Sequence, residues 1–243
     1  MSSIKIDNLT LFYGKPLLVN DICVVYPPTL GDIAQIGAQS FYNYISLLTM
    51  DKKELFESNN EATEIAYLLA TATLNVDFFD LIKEAFLFFI KEEVTLLPEL
   101  EAIQIGELEE KRLLLEDDFI IFQDYVRKVC ALEIGKTDKA SDSERVKEIK
   151  NKIRQGQALV AKLKGKEIGD EPPELFDIIS SYLSKATEVD IKTIWDMPYY
   201  MFQIQFRRMQ MIEEYDINLR SALAGAKIPK EKMKHWIRKI QET

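Results

Sequence analysis

The sequence predicts a mainly α protein, with helical lobes and a small β element at the N-terminus. Three observations carry this. Apolar residues recur at helical spacing along most of the chain, as in Ile33, Ile36, Phe41, Tyr44, Ile45 and Leu48. Helix start and stop signals punctuate those runs, whereas the first 26 residues alternate as helices do not. At 243 residues and 47% hydrophobic, the chain can bury one large core or two modest ones.

In chain order, Ile4, Ile6, Leu9 and Leu11 followed by the Gly14-Lys15-Pro16 turn signal, then Leu17 to Val19 and Ile22 to Val25, read as two or three short strands. Pro27-Pro28 ends the extended stretch. Thr29-Leu30-Gly31-Asp32 reads as a helix start with a side-chain oxygen at the cap and an acid three residues later. One helix is expected from there to about Met50, with Gly37 permitting close approach of a neighbour. Lys52 to Val94 is helical in pattern, with breaks near Asn59-Asn60 and Asn75. The breadth of its apolar surface, with Phe78, Phe79, Phe86, Phe88 and Phe89, marks it as the core of the N-terminal half.

Leu96 to Ile105 and Arg112 to Leu115 flank Gly106 to Glu110 and suggest a small hairpin or edge strand pair. Asp117-Asp118 opens a helix to Leu132 whose Phe119, Phe122, Val126 and Val129 share a face. Gly135 to Ser143 lacks large apolar residues and reads as a linker. Glu144 to Lys164 is a lysine-rich helix. Helices are then expected over Glu174 to Lys185 and, capped by Asp190, over Ile191 to about Leu223. Ala224-Gly225-Ala226 stops the latter, and Pro229 opens a short last helix carrying His235 and Trp236. The expected organisation is an N-terminal lobe at 1–134, a linker at 135–143 and a C-terminal helical lobe at 144–243.

Composition narrows the chemistry. One histidine, two cysteines and nine glycines leave few materials for a metal site, a nucleophile and base pair, or a phosphate loop. Gly135-Lys136-Thr137 ends like a phosphate loop, but position 130, where that motif needs glycine, is Cys130. Adjacent acids such as Asp117-Asp118, Glu92-Glu93 and Glu213-Glu214 cannot converge on a helix without a third contributor. His235, among basic neighbours, reads as a surface or interface residue. Cys23 and Cys130 read as reduced, buried thiols. No catalytic residue, metal ligand or cofactor is therefore expected.

A net charge of -9 opposes nucleic-acid binding overall. The lysine-rich helix, with Lys147, Lys150, Lys152 and Arg154, lacks interleaved aromatics and reads first as a solvated face, second as a contact for an acidic protein. No export signal and no apolar run near the roughly 18 residues of a membrane span is expected.

Trp195 to Tyr215 is the strongest interaction candidate. It gathers Trp195, Met197, Tyr199, Tyr200, Met201, Phe202, Phe206, Met209, Met211 and Tyr215, interrupted by Arg207 and Arg208, and these are the residue types enriched in interfaces. Two roles are open, core of the C-terminal half or contact with another chain. The partner-binding set expected is Trp195, Tyr199, Tyr200, Phe202, Phe206 and Met209.

Two stretches resemble a known group. Tyr26-Pro27-Pro28-Thr29-Leu30-Gly31-Asp32-Ile33 with Phe41-Tyr42-Asn43-Tyr44 resembles openings of small tail proteins of phages infecting Gram-positive bacteria. Met197-Pro198-Tyr199-Tyr200-Met201-Phe202, then Gly225 and His235-Trp236, is similar to endings in that group, which includes tail assembly chaperones. The resemblance implies a non-enzymatic helical protein that binds the tape-measure protein or other tail components in the host cytoplasm during assembly. A structural subunit of the virion tail, baseplate hub or connector is the alternative it leaves open, as is self-association. Many tail chaperones are shorter and occur as a short form and a frameshifted long form. This chain is long, and its one composition break is Gly135 to Ser143, which makes the C-terminal half the candidate extension.

Overall fold

The structure, a computed structural model, describes residues 6–49, 63–74, 76–106, 112–132, 173–187, 189–229, 233–238 and 240. The chain forms two compact units, residues 1–133 with 189–240, and residues 134–188 with 241–243. The expected linker at 135–143, the lysine-rich helix, the Gly135-Lys136-Thr137 stretch and the Asn59-Asn60 break lie outside the described residues. The described residues hold eight helices and two small sheets, so the mainly helical character stands. β structure occurs at mid-chain as well as at the N-terminus.

The larger unit opens with α1 (Asn8–Tyr13), where strand was expected. Asp7 O accepts from the Thr10 and Leu11 amides, and Gly14 closes the turn at φ 77° with its amide on Leu11 O. A left-handed glycine cap is a helix ending, and it outweighs the alternation read upstream of it. The strands follow: β1 (Leu17–Val19) and β2 (Cys23–Val25) pair antiparallel with Leu17 opposite Val25. Leu17, Val19, Cys23 and Val25 face inward while Leu18 is exposed, the period of two that a half-buried hairpin requires.

α2 (Leu30–Ile36) starts at the expected capping box: Thr29 Oγ1 accepts the Asp32 amide at 3.0 Å and Asp32 Oδ2 accepts the Thr29 amide at 2.9 Å. The single helix expected to Met50 is two. Gly37, at φ 83° and ψ 147°, ends α2 and starts α3 (Ala38–Leu48). A side chain there would meet nothing within 4 Å, so this glycine serves the bend and not a close approach. Phe41, Tyr44, Ile45 and Leu48 are buried along one face of α3.

α4 (Glu64–Leu74) and α5 (Val76–Ile90) flank Asn75. The start of α4 is capped from a distance, the Glu116 carboxylate accepting the Glu64 and Ile65 amides at 3.0 and 2.9 Å. Along α5, Ile82, Ala85, Phe86, Phe88, Phe89 and Ile90 are buried. Phe86 stacks on Phe122 with centroids 4.9 Å apart, and Phe41 meets Phe88 edge-on at 6.0 Å.

The second sheet has three antiparallel strands in the order β3 (Val94–Leu97), β4 (Ala102–Ile105), β5 (Arg112–Leu114). The run read as Leu96 to Ile105 is folded at a 3₁₀ turn, Pro98–Leu100, and Glu101 at φ 46° reverses it. α6 (Glu116–Val129) carries Glu116, Asp117 and Asp118 in its first turn and Arg127 and Lys128 in its last, each complementing the helix dipole. The expected Phe119, Phe122, Val126 and Val129 face is fully buried. Arg127 also donates to Thr49 O at 2.7 Å, closing the end of α3.

In the smaller unit the described helix is α7 (Leu175–Lys185), with Glu174 and Asp177 in a reciprocal cap. Back in the larger unit, the helix expected from Ile191 begins later. A 3₁₀ turn, Ile194–Asp196, and Pro198 precede α8 (Tyr199–Leu223), because Pro198 suits a helix start and not an interior. Asp190 therefore does not cap α8: its carboxylate accepts the Lys192 amide at 2.9 Å in the turn ahead of the 3₁₀ segment, whose own N-cap is Thr193. Gly225 at φ 93° follows the end of α8. Among the described residues 233–238 there is no α-helix, so the last helix expected to carry His235 and Trp236 is not formed there.

Candidate protein-binding site

The starts of α2 and α8, distant in sequence, cap each other. The first amide of a helix has no partner within it. Here Leu30, first in α2, donates to Met197 O at 3.0 Å, and Tyr199, first in α8, donates to Pro28 O at 2.8 Å. Each amide thus reaches the carbonyl just before the other helix's cap residue, and Thr29 and Pro198 form an antiparallel bridge between them. Two positive helix ends meet at this seam, and Asp32 and Asp196 set negative charge beside them.

Two glycines let the seam close. A Cβ on Gly31 would lie 2.9 Å from the Trp195 carbonyl oxygen, and one on Gly14 would lie 2.5 Å from the Pro198 ring. Val25's strand is tied in next door, with the Tyr26 amide on Phe89 O at 2.8 Å. The residues that carry the resemblance to phage tail proteins, Pro28, Thr29, Gly31 and Asp32 with Met197, Pro198 and Tyr199, are therefore one structural joint.

That joint sorts the expected partner-binding residues. Tyr199, Tyr200 and Phe202 are buried in the chain itself. Tyr199 meets Phe41 edge-on at 5.0 Å, and burial together with Tyr42 pushes its hydroxyl well above the ordinary tyrosine range. Trp195 remains 40% exposed, and Phe206 and Met209 are half-buried. Phe206 stacks on Phe202 with centroids 6.2 Å apart, so the buried and accessible aromatics are continuous.

α1, where strand was expected, adds two exposed apolar side chains. Leu9 and Tyr13, 73% and 79% exposed, stand one turn apart on α1, which packs against α8. Their four-residue spacing was the available signal. Together with Trp195, Phe206 and Met209 they give this part of the unit a set of accessible apolar side chains, of the composition that interfaces favour.

The thiols are buried, and the nearby carboxylates and the histidine are engaged with neighbours. Burial pushes the Cys23 thiol up to about 12, with Glu92 adding to it, and burial raises Cys130 well above its ordinary value. Glu92 pairs with Arg112 at 2.6 Å, and Asp118 accepts from Asn20. Tyr44 is raised to about 12 by burial and by its hydrogen bond to Glu84. His235 lies 5.2 Å from the Tyr215 ring and stacks on Trp236. No group of three or more metal-ligating side chains converges among the described residues. Nor is any described helix long and apolar enough to cross a membrane.

Fold and site together describe a mainly helical protein with an accessible aromatic and methionine surface beside a two-helix joint. Residues 164–241 match the family model of the YomV second domain, a phage-derived family. The match takes in α7, the 3₁₀ turn and α8, and so includes the C-terminal half of the joint. No curated protein and no solved structure matches the chain.

Proposed function

We propose that this chain is a non-enzymatic protein-binding factor in phage tail morphogenesis, of the tail assembly chaperone type, acting in the host cytoplasm on the tape-measure protein or another tail component. The observation that carries the reading is the accessible set Trp195, Phe206 and Met209 with Leu9 and Tyr13, held at the end of a helix whose base is fixed by the joint. A firmly based helix with an apolar surface suits capture of an apolar helical segment, where affinity comes from a few aromatic anchors. The similarity of residues 164–241 to the YomV second domain supports phage origin, the broader part of this reading.

The test is co-expression with a phage tape-measure protein. Combined Trp195→Ala, Phe206→Ala and Met209→Ala substitution is expected to abolish co-purification while the circular dichroism and thermal midpoint stay close to the parent's. Unchanged capture by the folded variant would refute the reading.

A second role is a structural subunit retained in the tail, baseplate hub or connector, which the fixed geometry of the joint also suits. Mass composition of finished particles against infected lysate separates the two. A chaperone is found in the lysate alone, a structural subunit in stoichiometric amount in particles.

A further inference from the structure

Beyond its buried first turn, α8 has two unlike sides. With about 100° of rotation per residue, Phe206, Met209, Glu213, Asp216, Ile217 and Arg220 fall within about 100° of arc. Asp216, Ile217 and Arg220 are exposed, Ile217 by 64%, and Phe206, Met209 and Glu213 are half-buried. Met211, which is buried, lies on the opposite side, where Arg208 donates to the Trp236 and Arg238 carbonyls and Tyr215 meets the His235 ring. The chain's own contacts therefore fall on one side, and the side that holds Phe206 and Met209 carries the exposed residues.

The open side is not uniformly apolar. Phe206 and Met209 stand about one turn apart, and the next position of an unbroken apolar stripe is taken by Glu213, with Asp216 beside it. Apolar character resumes at Ile217. A carboxylate covered by a partner loses water and needs a cation or donors opposite it, or the contact is opposed. The two acids therefore decide which occupants suit this face.

A second copy of α8 does not suit it. Laid parallel and in register, it sets Glu213 against Glu213, a like-charge contact. Laid antiparallel with Glu213 opposite Arg220, it answers the charges but places Phe206 opposite position 227 and Met209 opposite position 224, past the helix end at Leu223. The two apolar anchors then go uncovered. A wholly apolar helix has the converse fault, covering the anchors while leaving the acids without a counter-charge. A helix with an apolar pair and a cation about two turns away answers both, and the net charge of -9 favours its approach.

We propose that the open face of α8 takes a helical segment of another protein that sets an apolar pair on Phe206 and Met209 and, about two turns away on the same stripe, a lysine or arginine on Glu213 and Asp216. This rests on the protein-binding function proposed above and states the chemistry of the partner.

The probes are two fluorescein-labelled helical peptides with one apolar stripe, differing only in the residue two turns from the apolar pair, lysine in one and glutamate in the other. Fluorescence anisotropy with the full chain at low ionic strength is expected to show the lysine peptide binding about tenfold more tightly. Combined Glu213→Gln and Asp216→Asn substitution is expected to remove the preference. Glu214→Gln deletes a charge from the flank of the helix and is expected to keep it. Equal affinities in the parent, or binding of neither peptide, would overturn the proposal. So would a preference that Glu214→Gln erases as fully as the double substitution, since that is an effect of overall charge. Combined Phe206→Ala and Met209→Ala should abolish binding of both peptides, and unchanged binding would overturn the proposal by placing them elsewhere. If circular dichroism shows that the double carboxylate variant loses helix, Asp216→Asn is read in its place, and an undiminished preference counts against the proposal. Capture of a phage tape-measure protein separates the two levels. Capture by a parent chain that does not distinguish the peptides overturns this partner chemistry and leaves the function standing, whereas absence of capture with the lysine preference intact overturns the tail-component reading alone.

Discussion

The first turn of α8 and the roughly six turns beyond it both carry large apolar side chains and end in different environments. Tyr199, Tyr200 and Phe202 are buried, whereas from Gln203 to Leu223 only Met211 is. The first turn, Tyr-Tyr-Met-Phe, carries no charge, whereas the later turns set Phe206, Met209 and Met211 among Arg207, Arg208, Glu213 and Glu214, so composition accounts for part of the contrast. The joint supplies the rest, the Pro28 and Met197 carbonyls tying the helix base to α2 and Tyr199 meeting Phe41 of α3. Interface-like composition thus marks residues able to be buried, and the chain's own long-range pairing decides which of them it buries itself.

Substitutions at the two ends should differ most. Phe202→Ala empties a fully buried aromatic position and is expected to cost about 3–5 kcal/mol, read as a lowered urea midpoint. Phe206→Ala, one turn on and half-buried, should cost ~1 kcal/mol or less. Equal losses at both would break the contrast.

The joint itself should be sensitive to a single carbon. Gly14→Ala meets a φ of 77° and the Pro198 ring at 2.5 Å, and is expected to cost about 1–3 kcal/mol, with the same substitution at Gly37 costing only its φ strain because nothing lies near. An unchanged midpoint for Gly14→Ala would show that neither its φ nor its closeness to Pro198 matters to the joint.

Alkali should loosen the buried base before it affects the far turns. Tyr44 is raised to about 12 from 10.0, and Tyr199 is raised as well, so the folded state holds these protons more tightly than the unfolded chain. Their contribution is complete below pH 10 and is lost as pH rises from there toward about 12, at about 1.4 kcal/mol per pH unit for each group over that window. Urea midpoints across that range should fall for the parent and fall less for Tyr199→Phe. The same slope in both would remove Tyr199 from the account.

The smallest effect sharpens the view of the cap. Thr29→Ala removes the acceptor of the Asp32 amide while the bridge to Pro198 remains, and should cost about 1 kcal/mol. A much larger loss would mean that the cap and the bridge form as a unit.

Much of the fold was legible where the signal is local. The Thr29 and Asp32 cap, the buried face of α6 and the core position of Phe86 and Phe89 follow from spacing and side-chain chemistry within a few residues. Errors fell where a local signal was ambiguous. Leu9 and Leu11 fit either strand or helix over so short a run, and the glycine cap at Gly14 decided it. Pro198 is a stop within the expected Ile191 to Leu223 helix, masked by an apolar run that continues across it. Of the residues expected to meet a partner, Trp195, Phe206 and Met209 are accessible, whereas Tyr199, Tyr200 and Phe202 are buried by long-range packing that no local spacing announces.

By itself the sequence determined a mainly helical chain, its caps, its buried thiols and the scarcity of groups for catalysis, because periodicity, capping and composition act over one or two turns of backbone. The tertiary structure alone decided that Pro28 meets Tyr199, that Gly31 lies under Trp195, and that Arg208 holds the carbonyls of residues 236 and 238. Those contacts satisfy amides, carbonyls and charges across long stretches of chain, and a hydrogen bond between distant residues leaves no period in the sequence from which to read it.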